Sequence, residues 1–127
     1  MTKPLSDDDD AKMRVQARLV DFCNAHEAID PDAVIRMFPK TDVESWHRQL
    51  TRSKYKSVQC KFGEPKFLSV DGAGGKVKVE AELKRVYDHT VTGLMVSEMI
   101  ATMTFSRANR QSPWFMDEMT VKPKPKS

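Results

Sequence analysis

The chain has 127 residues, a formal net charge of +3, and 31% charged against 39% apolar residues. One domain of this length buries about two-thirds of its unfolded surface, enough for a core without metal or disulfide support. No apolar run approaches the ~20 residues of a membrane-spanning helix. The acid-rich start at 6–10 does not read as a signal peptide, and the charge lacks the basic excess of a dedicated nucleic-acid binder.

Residues 1–6 and 122–127 read as flexible tails, the second an alternation of Lys and Pro without apolar periodicity. Residues 7–121 form the domain. A first helix is predicted over 8–28, with Asp7, Asp8, Asp9 and Asp10 at the positive end of its dipole. At 100° per residue, Ala11, Val15, Leu19, Phe22, His26 and Ile29 share one stripe, with Cys23 beside it. Asp30 and Pro31 cap and start a short helix over 32–38, which Pro39 stops. Thr41 or Asp42 caps a third helix to about 52, with Val43, Trp46, His47 and Leu50 inward.

Strands follow. The 55–62 segment sets Val58, Cys60 and Phe62 against Ser57, Gln59 and Lys61, and continues beyond Gly63 and Pro65 through 66–70. The glycines at 72–75 mark a hairpin turn. Over 76–88, Val77, Val79, Ala81 and Leu83 alternate with Lys78, Glu80, Glu82 and Lys84. A turn near 88–93 leads to strands at 94–107 and 114–121. Helices first and strands after predict an α+β domain, in which a strongly curved antiparallel sheet of about four to five strands wraps the first helix. Cys23 and Cys60 lie far apart in sequence, and a small secreted scaffold would carry more cysteines. They read as two buried thiols of a reducing compartment, the cytoplasm.

The long first helix, the short segment 30–38, the long strand pair, and a closing strand with Trp114, Met116 and Met119 together resemble the nuclear transport factor 2-like superfamily. The resemblance covers about residues 8–121. It implies a cone-shaped α+β barrel with a pocket inside. The superfamily holds ketosteroid isomerases, dehydratases, polyketide cyclases and epoxide hydrolases, beside non-catalytic members that bind ligands or dimerise. No carboxylate or His–Asp arrangement of its enzymes matches here residue for residue.

Polar groups at apolar-phase positions are the informative ones, because burial without partners costs a few kcal/mol. His26 is either a general base or ligand hydrogen-bonder, or a core histidine held by a backbone carbonyl or water. Arg85 and Tyr87 extend the inward phase of the 76–88 strand and would suit an anionic or carbonyl-bearing ligand. The competing readings are that Arg85 snorkels at the mouth, or that a bulge flips the phase. His89 shares that phase and falls in the turn. Phe22, Trp46, Met99, Met103 and Trp114 complete the candidate pocket wall, with a simple core plug as the alternative for Trp46 and ordinary core filling for the methionines.

Among carboxylates, Glu98 reads as outside the cone, and Glu118 joins His26 only if a bulge turns it inward. Catalysis would therefore fall to His26, Tyr87 and Glu118. His26, His47 and His89 lack metal-ligand spacing, so neither metal nor cofactor is expected. Both faces of 94–100 are apolar, which predicts a homodimer through the sheet. The strip Arg48, Arg52, Lys54, Lys56, Lys61 and Lys66 with Tyr55 reads as a solvated surface ahead of a nucleic-acid contact. The expected role is non-catalytic: a small apolar or anionic ligand in the cone, or a protein partner on the sheet. An isomerase- or dehydratase-like enzyme is the alternative, and a nucleic-acid-associated module a further one.

Overall fold

The computed structural model describes residues 6–125, so most of the first expected tail and the last two residues of the second lie outside the described residues. Ser6 caps the first helix, its hydroxyl accepting the Asp9 N–H at 3.1 Å. Helix α1 (Asp7–Glu27) buries Ala11, Val15, Leu19, Phe22, Cys23, Ala25 and His26, the face that the periodicity picks out. Its acidic first turn does more than meet the dipole. Asp8 Oδ1 accepts the Gly72 N–H at 2.8 Å, and Asp7 pairs with Arg110 at 2.7 Å. Asp10 pairs with Arg14 and, at 3.8 Å, with the buried Arg107.

Arg107 also donates to the Gly72 carbonyl at 3.1 Å and lies 4.7 Å over the Trp114 ring. This clamp holds the start of α1 against the 72–75 hairpin. Arg107→Ala strands a buried carbonyl and removes a cation–π contact, and is expected to cost about 2 kcal/mol in urea unfolding.

At its other end α1 stops in a Schellman motif: the Asp30 N–H bonds to Ala25 O at 2.9 Å and the Ile29 N–H to His26 O at 3.0 Å. The left-handed position belongs to Ile29 (φ 51°), a β-branched residue where glycine is usual. Ile29 is buried, and that burial offsets the backbone strain. Asp30 then caps α2 (Pro31–Met37), and Asp42 caps α3 (Val43–Gln49).

Only half of the expected inward side of α3 faces in. Trp46 and Leu50, four apart, rest on the core. Val43 and His47, also four apart, share the exposed side, and His47 Nε2 sits 2.7 Å from Asp32 on α2.

Five antiparallel strands follow: β1 (Tyr55–Phe62), β2 (Lys66–Asp71), β3 (Lys76–His89), β4 (Gly93–Ser106) and β5 (Phe115–Pro123). The long β3 pairs with β1 along its second half and β2 along its first, and with β4 throughout. The β4–β5 ladder completes the sheet. β5 runs past the expected end at 121, and Lys124 N still bonds to Glu98 O at 3.4 Å.

Register fixes the faces. Val77–Phe105, Val79–Met103, Ala81–Ala101 and Leu83–Met99 make the inner rows, and α1 lies across them. Glu98 is outside, 3.8 Å from Lys84, as its phase requires.

The two cysteines are not free thiols. Cys23 on α1 and Cys60 on β1 form a disulfide, with Cα atoms 4.9 Å apart across a sequence separation of 37. Sequence distance is a poor guide here, because the inward phase of β1 and the core face of α1 meet at this point. The inference of a reducing compartment falls with the free thiols.

Candidate functional site

Residues of α1, α3, β1 and β3 meet around His26. His26 is 1% exposed, three residues before the Schellman turn that fixes the helix end. Its Nδ1 lies 2.9 Å from the Phe22 carbonyl. A carbonyl only accepts, so Nδ1 carries the proton and Nε2 presents a lone pair. Among the described residues that Nε2 has no hydrogen-bond partner.

Burial lowers the His26 pKa from 6.5 to about 4. The Phe22 bond opposes this, and the nearby Arg85 charge adds to it. The ring is therefore neutral at pH 7. Two aromatic residues pack on it, with a third behind them. The Phe22 centroid is 4.4 Å away, the Trp46 ring meets it edge-on at 5.3 Å, and Phe62 packs on Phe22 at 5.7 Å. Trp46 is anchored by its indole N–H, which donates to Thr41 at 2.6 Å.

Arg85 faces Cys60 across the β1–β3 ladder and Ser97 across β3–β4, on the inner side. Its guanidinium carbon is 5.8 Å from the Tyr87 ring centroid, and its buried Nε has no partner among the described residues. Tyr87 has its pKa raised by burial, with Arg85 opposing and Tyr55 adding to the shift. Tyr55 stacks on Tyr87 at 5.0 Å and meets His89 at 5.5 Å. The His89 Nδ1 accepts the Val91 N–H at 3.1 Å and so closes the β3–β4 turn.

Of the candidate residues, Phe22, His26, Trp46, Arg85 and Tyr87 come together, and Met99 follows one inner row deeper. Met103 is fully buried core, six residues along β4 from Ser97 or about 20 Å. Trp114 is buried at the opposite end beside Arg107, about 30 Å along the sheet from the Arg85 row.

A bulge does occur in β5, but Asp117 is its extra residue. Glu118 pairs with Thr104 on the outer face and is exposed. Asp117 turns to Lys40 at 3.3 Å. Glu118 therefore does not join His26.

Tyr55 and Phe62 belong to this cluster, although sequence reasoning does not single them out for it. A bulge between Tyr55 and Ser57 gives β1 one extra residue, and so puts both Tyr55 and Val58 inside. Strict alternation separates them. The only sequence signal for Phe62 is its inward phase. The basic residues Arg48, Arg52, Lys54, Lys56, Lys61 and Lys66 are exposed but spread over α3, a loop and two strands.

Among the described residues no group of three or more metal-ligating side chains converges. No helix there is long and apolar enough to cross a membrane.

Solved structures match this architecture along nearly its whole length. A nuclear transport factor 2-like superfamily protein from Salmonella enterica serovar Typhimurium superposes with TM-score 0.78 at 10% identity, covering 94% of each chain. A candidate scytalone dehydratase from Novosphingobium aromaticivorans gives 0.77 at 10% identity, over 95% of this chain and 89% of that one. A hexachlorocyclohexane dehydrochlorinase from Novosphingobium barchaimii gives 0.72 at 8% identity, over 94% and 90%. No protein-family model and no curated protein matches by sequence. The three helices and curved five-stranded sheet are the nuclear transport factor 2-like fold, whose cone fits ligand binding.

Proposed function

We propose that the chain is a non-catalytic binding domain. It holds a small, largely apolar molecule that carries an acidic or carbonyl oxygen. The observation that carries this reading is the pair of unpartnered buried groups in the aromatic end of the cone, His26 Nε2 and Arg85 Nε. A buried polar atom without a partner costs about 1–3 kcal/mol, which a ligand contact would recover. Arg85 offers a charged donor and His26 an acceptor, so a carboxylate or carbonyl would meet the first and a hydroxyl the second.

The test is a titration with octanoate and benzoate in a Trp114→Phe background, followed by the fluorescence of Trp46. Arg85→Leu is expected to weaken binding at least tenfold with little change in thermal midpoint. Equal affinity in the variant, or a collapse of the midpoint, overturns the assignment.

The neighbours described as dehydratase and dehydrochlorinase favour a second reading, proton transfer at His26. What weighs against it is the bond from Nδ1 to a backbone carbonyl instead of a carboxylate, together with the depressed pKa. Both make His26 a weak base.

The same reading includes a homodimer through the outer sheet face. Leu94 and Val96 are 74% and 63% exposed, in line with half-buried Val86 and Ile100. Around them Lys61, Lys78, Lys84 and Lys122 alternate with Glu80, Glu82, Glu98 and Glu118 on the same face, a pattern that a two-fold copy can complement. Val96→Lys should turn a dimer into a monomer by light scattering. A wild-type monomer at the same concentration ends this part of the proposal.

A further inference from the structure

The disulfide sits between an open groove and the His26–Arg85 cluster. On its outer side both cysteines line an open groove of about 410 Å³ between α1 and β1, floored by Leu19, Val20, Phe62 and Pro65 and flanked by Lys61. On its inner side Cys60 faces Arg85 across the ladder, and Cys23 lies three residues before His26 on α1. Cys23 is buried and Cys60 half-buried, so Cys60 is the more exposed residue of the pair.

The C-terminal end of α1 adds a hydrogen bond to the open edge of β1. The Cys60 N–H, which points away from β3, donates to Glu27 at 3.2 Å. Beyond core packing such as Phe22 on Phe62, the helix is tied to the edge strand, among the described residues, by this one covalent link and one exposed hydrogen bond.

We infer that Cys23–Cys60 is a redox-modification site, a clasp opened in the folded protein by a dithiol of the thioredoxin class entering through the groove. Opening it alters the His26–Arg85 site. The inference of an effect on binding rests on the ligand reading above; the clasp itself does not.

The reductant's thiolate attacks Cys60 Sγ. The S–S bond breaks, its electron pair passes to Cys23 Sγ, and that thiolate takes a proton from solvent. The reductant's second thiolate then attacks the mixed disulfide and releases Cys60 as thiolate, which is protonated in turn. The chain gains two electrons and two protons, and the dithiol leaves as a disulfide. Arg85, directly across the ladder from Cys60, favours the Cys60 thiolate released in the second step.

The experiment treats the native protein with rising dithiothreitol, traps thiols with iodoacetamide, and counts labels by mass. Both cysteines should be labelled at a rate that rises with dithiothreitol while the far-UV spectrum stays native. The His26 ring resonances should shift on reduction and return when oxidised glutathione re-forms the bond. Labelling at a rate independent of dithiothreitol, set by global unfolding, marks a purely structural crosslink and overturns the proposal. Unmoved His26 resonances overturn the coupling.

Octanoate affinity should differ at least fivefold between the oxidised and reduced forms, and equal affinities overturn the regulation of binding. If the oxidised protein binds neither octanoate nor benzoate, the ligand reading fails by itself, and the labelling and His26 readouts still decide the clasp. Cys23→Ala with Cys60→Ala should reproduce the reduced His26 spectrum. If that variant does not fold, the His26 resonances of the reduced wild type decide the coupling in its place.

Discussion

Phe22→Ala is expected to lower the unfolding free energy by about 3–5 kcal/mol, the usual cost of emptying a phenylalanine-sized hole in a core. Phe22 is fully buried on α1 and touches His26, Trp46 and Phe62, so its ring joins the helix, α3 and β1 at one point. Neighbours tied down on separate elements cannot collapse together into the space. That places the loss towards the upper end of the range. Phe22→Leu retains most of the volume and should cost about 1–1.5 kcal/mol. Urea unfolding of both variants checks the pair. Similar small losses for both would mean that the wall beside His26 is loosely packed, and that Phe22 is no structural centre of the site.

The parts of the chain that are legible in its sequence are those where period and burial agree. The α1 stripe and the β3 alternation each read correctly because one face of each meets a continuous core. α3 is harder. It has under two turns, and a stripe of Val43, Trp46, His47 and Leu50 is wider than one contact with the core can bury. The Asp32 carboxylate holds His47 on the solvent side. The same limit explains Tyr55, since one bulge residue reverses the face of everything before it and leaves no mark in composition.

Glu118 shows the converse: the bulge that could turn it inward exists, but it takes up Asp117 and leaves Glu118 outside. Trp114 matches a closing-strand pattern, which groups it with the pocket. Only the register reveals that it plugs the far end beside Arg107. The disulfide lies furthest from view, because nothing local to Cys23 or Cys60 says which strand crosses which turn of α1.

His26 should make the stability of the fold depend on pH in a window of its own. Its folded pKa of about 4 lies below the 6.5 of an exposed histidine, chiefly because burial disfavours the charged ring. Between those values the unfolded chain binds a proton that the folded chain does not, so stability falls as the pH falls. The contribution is whole above about pH 6.5 and gone below about pH 4. A gap of that size corresponds to about 3 kcal/mol.

Carboxylates complicate the lower half of the range, so the clean comparison is between pH 6.5 and 5. There the wild type should lose about 1.5 kcal/mol more than His26→Asn. In that variant the amide nitrogen can replace Nδ1 as donor to the Phe22 carbonyl without titrating. Parallel stability curves would mean that the ring takes up its proton in the folded state, with water or a counter-charge reaching Nε2. A bound carboxylate beside Arg85 should narrow the gap by cancelling the guanidinium charge that helps hold the His26 pKa down. The pH curve measured with and without octanoate therefore also reports whether a ligand reaches this end of the cone.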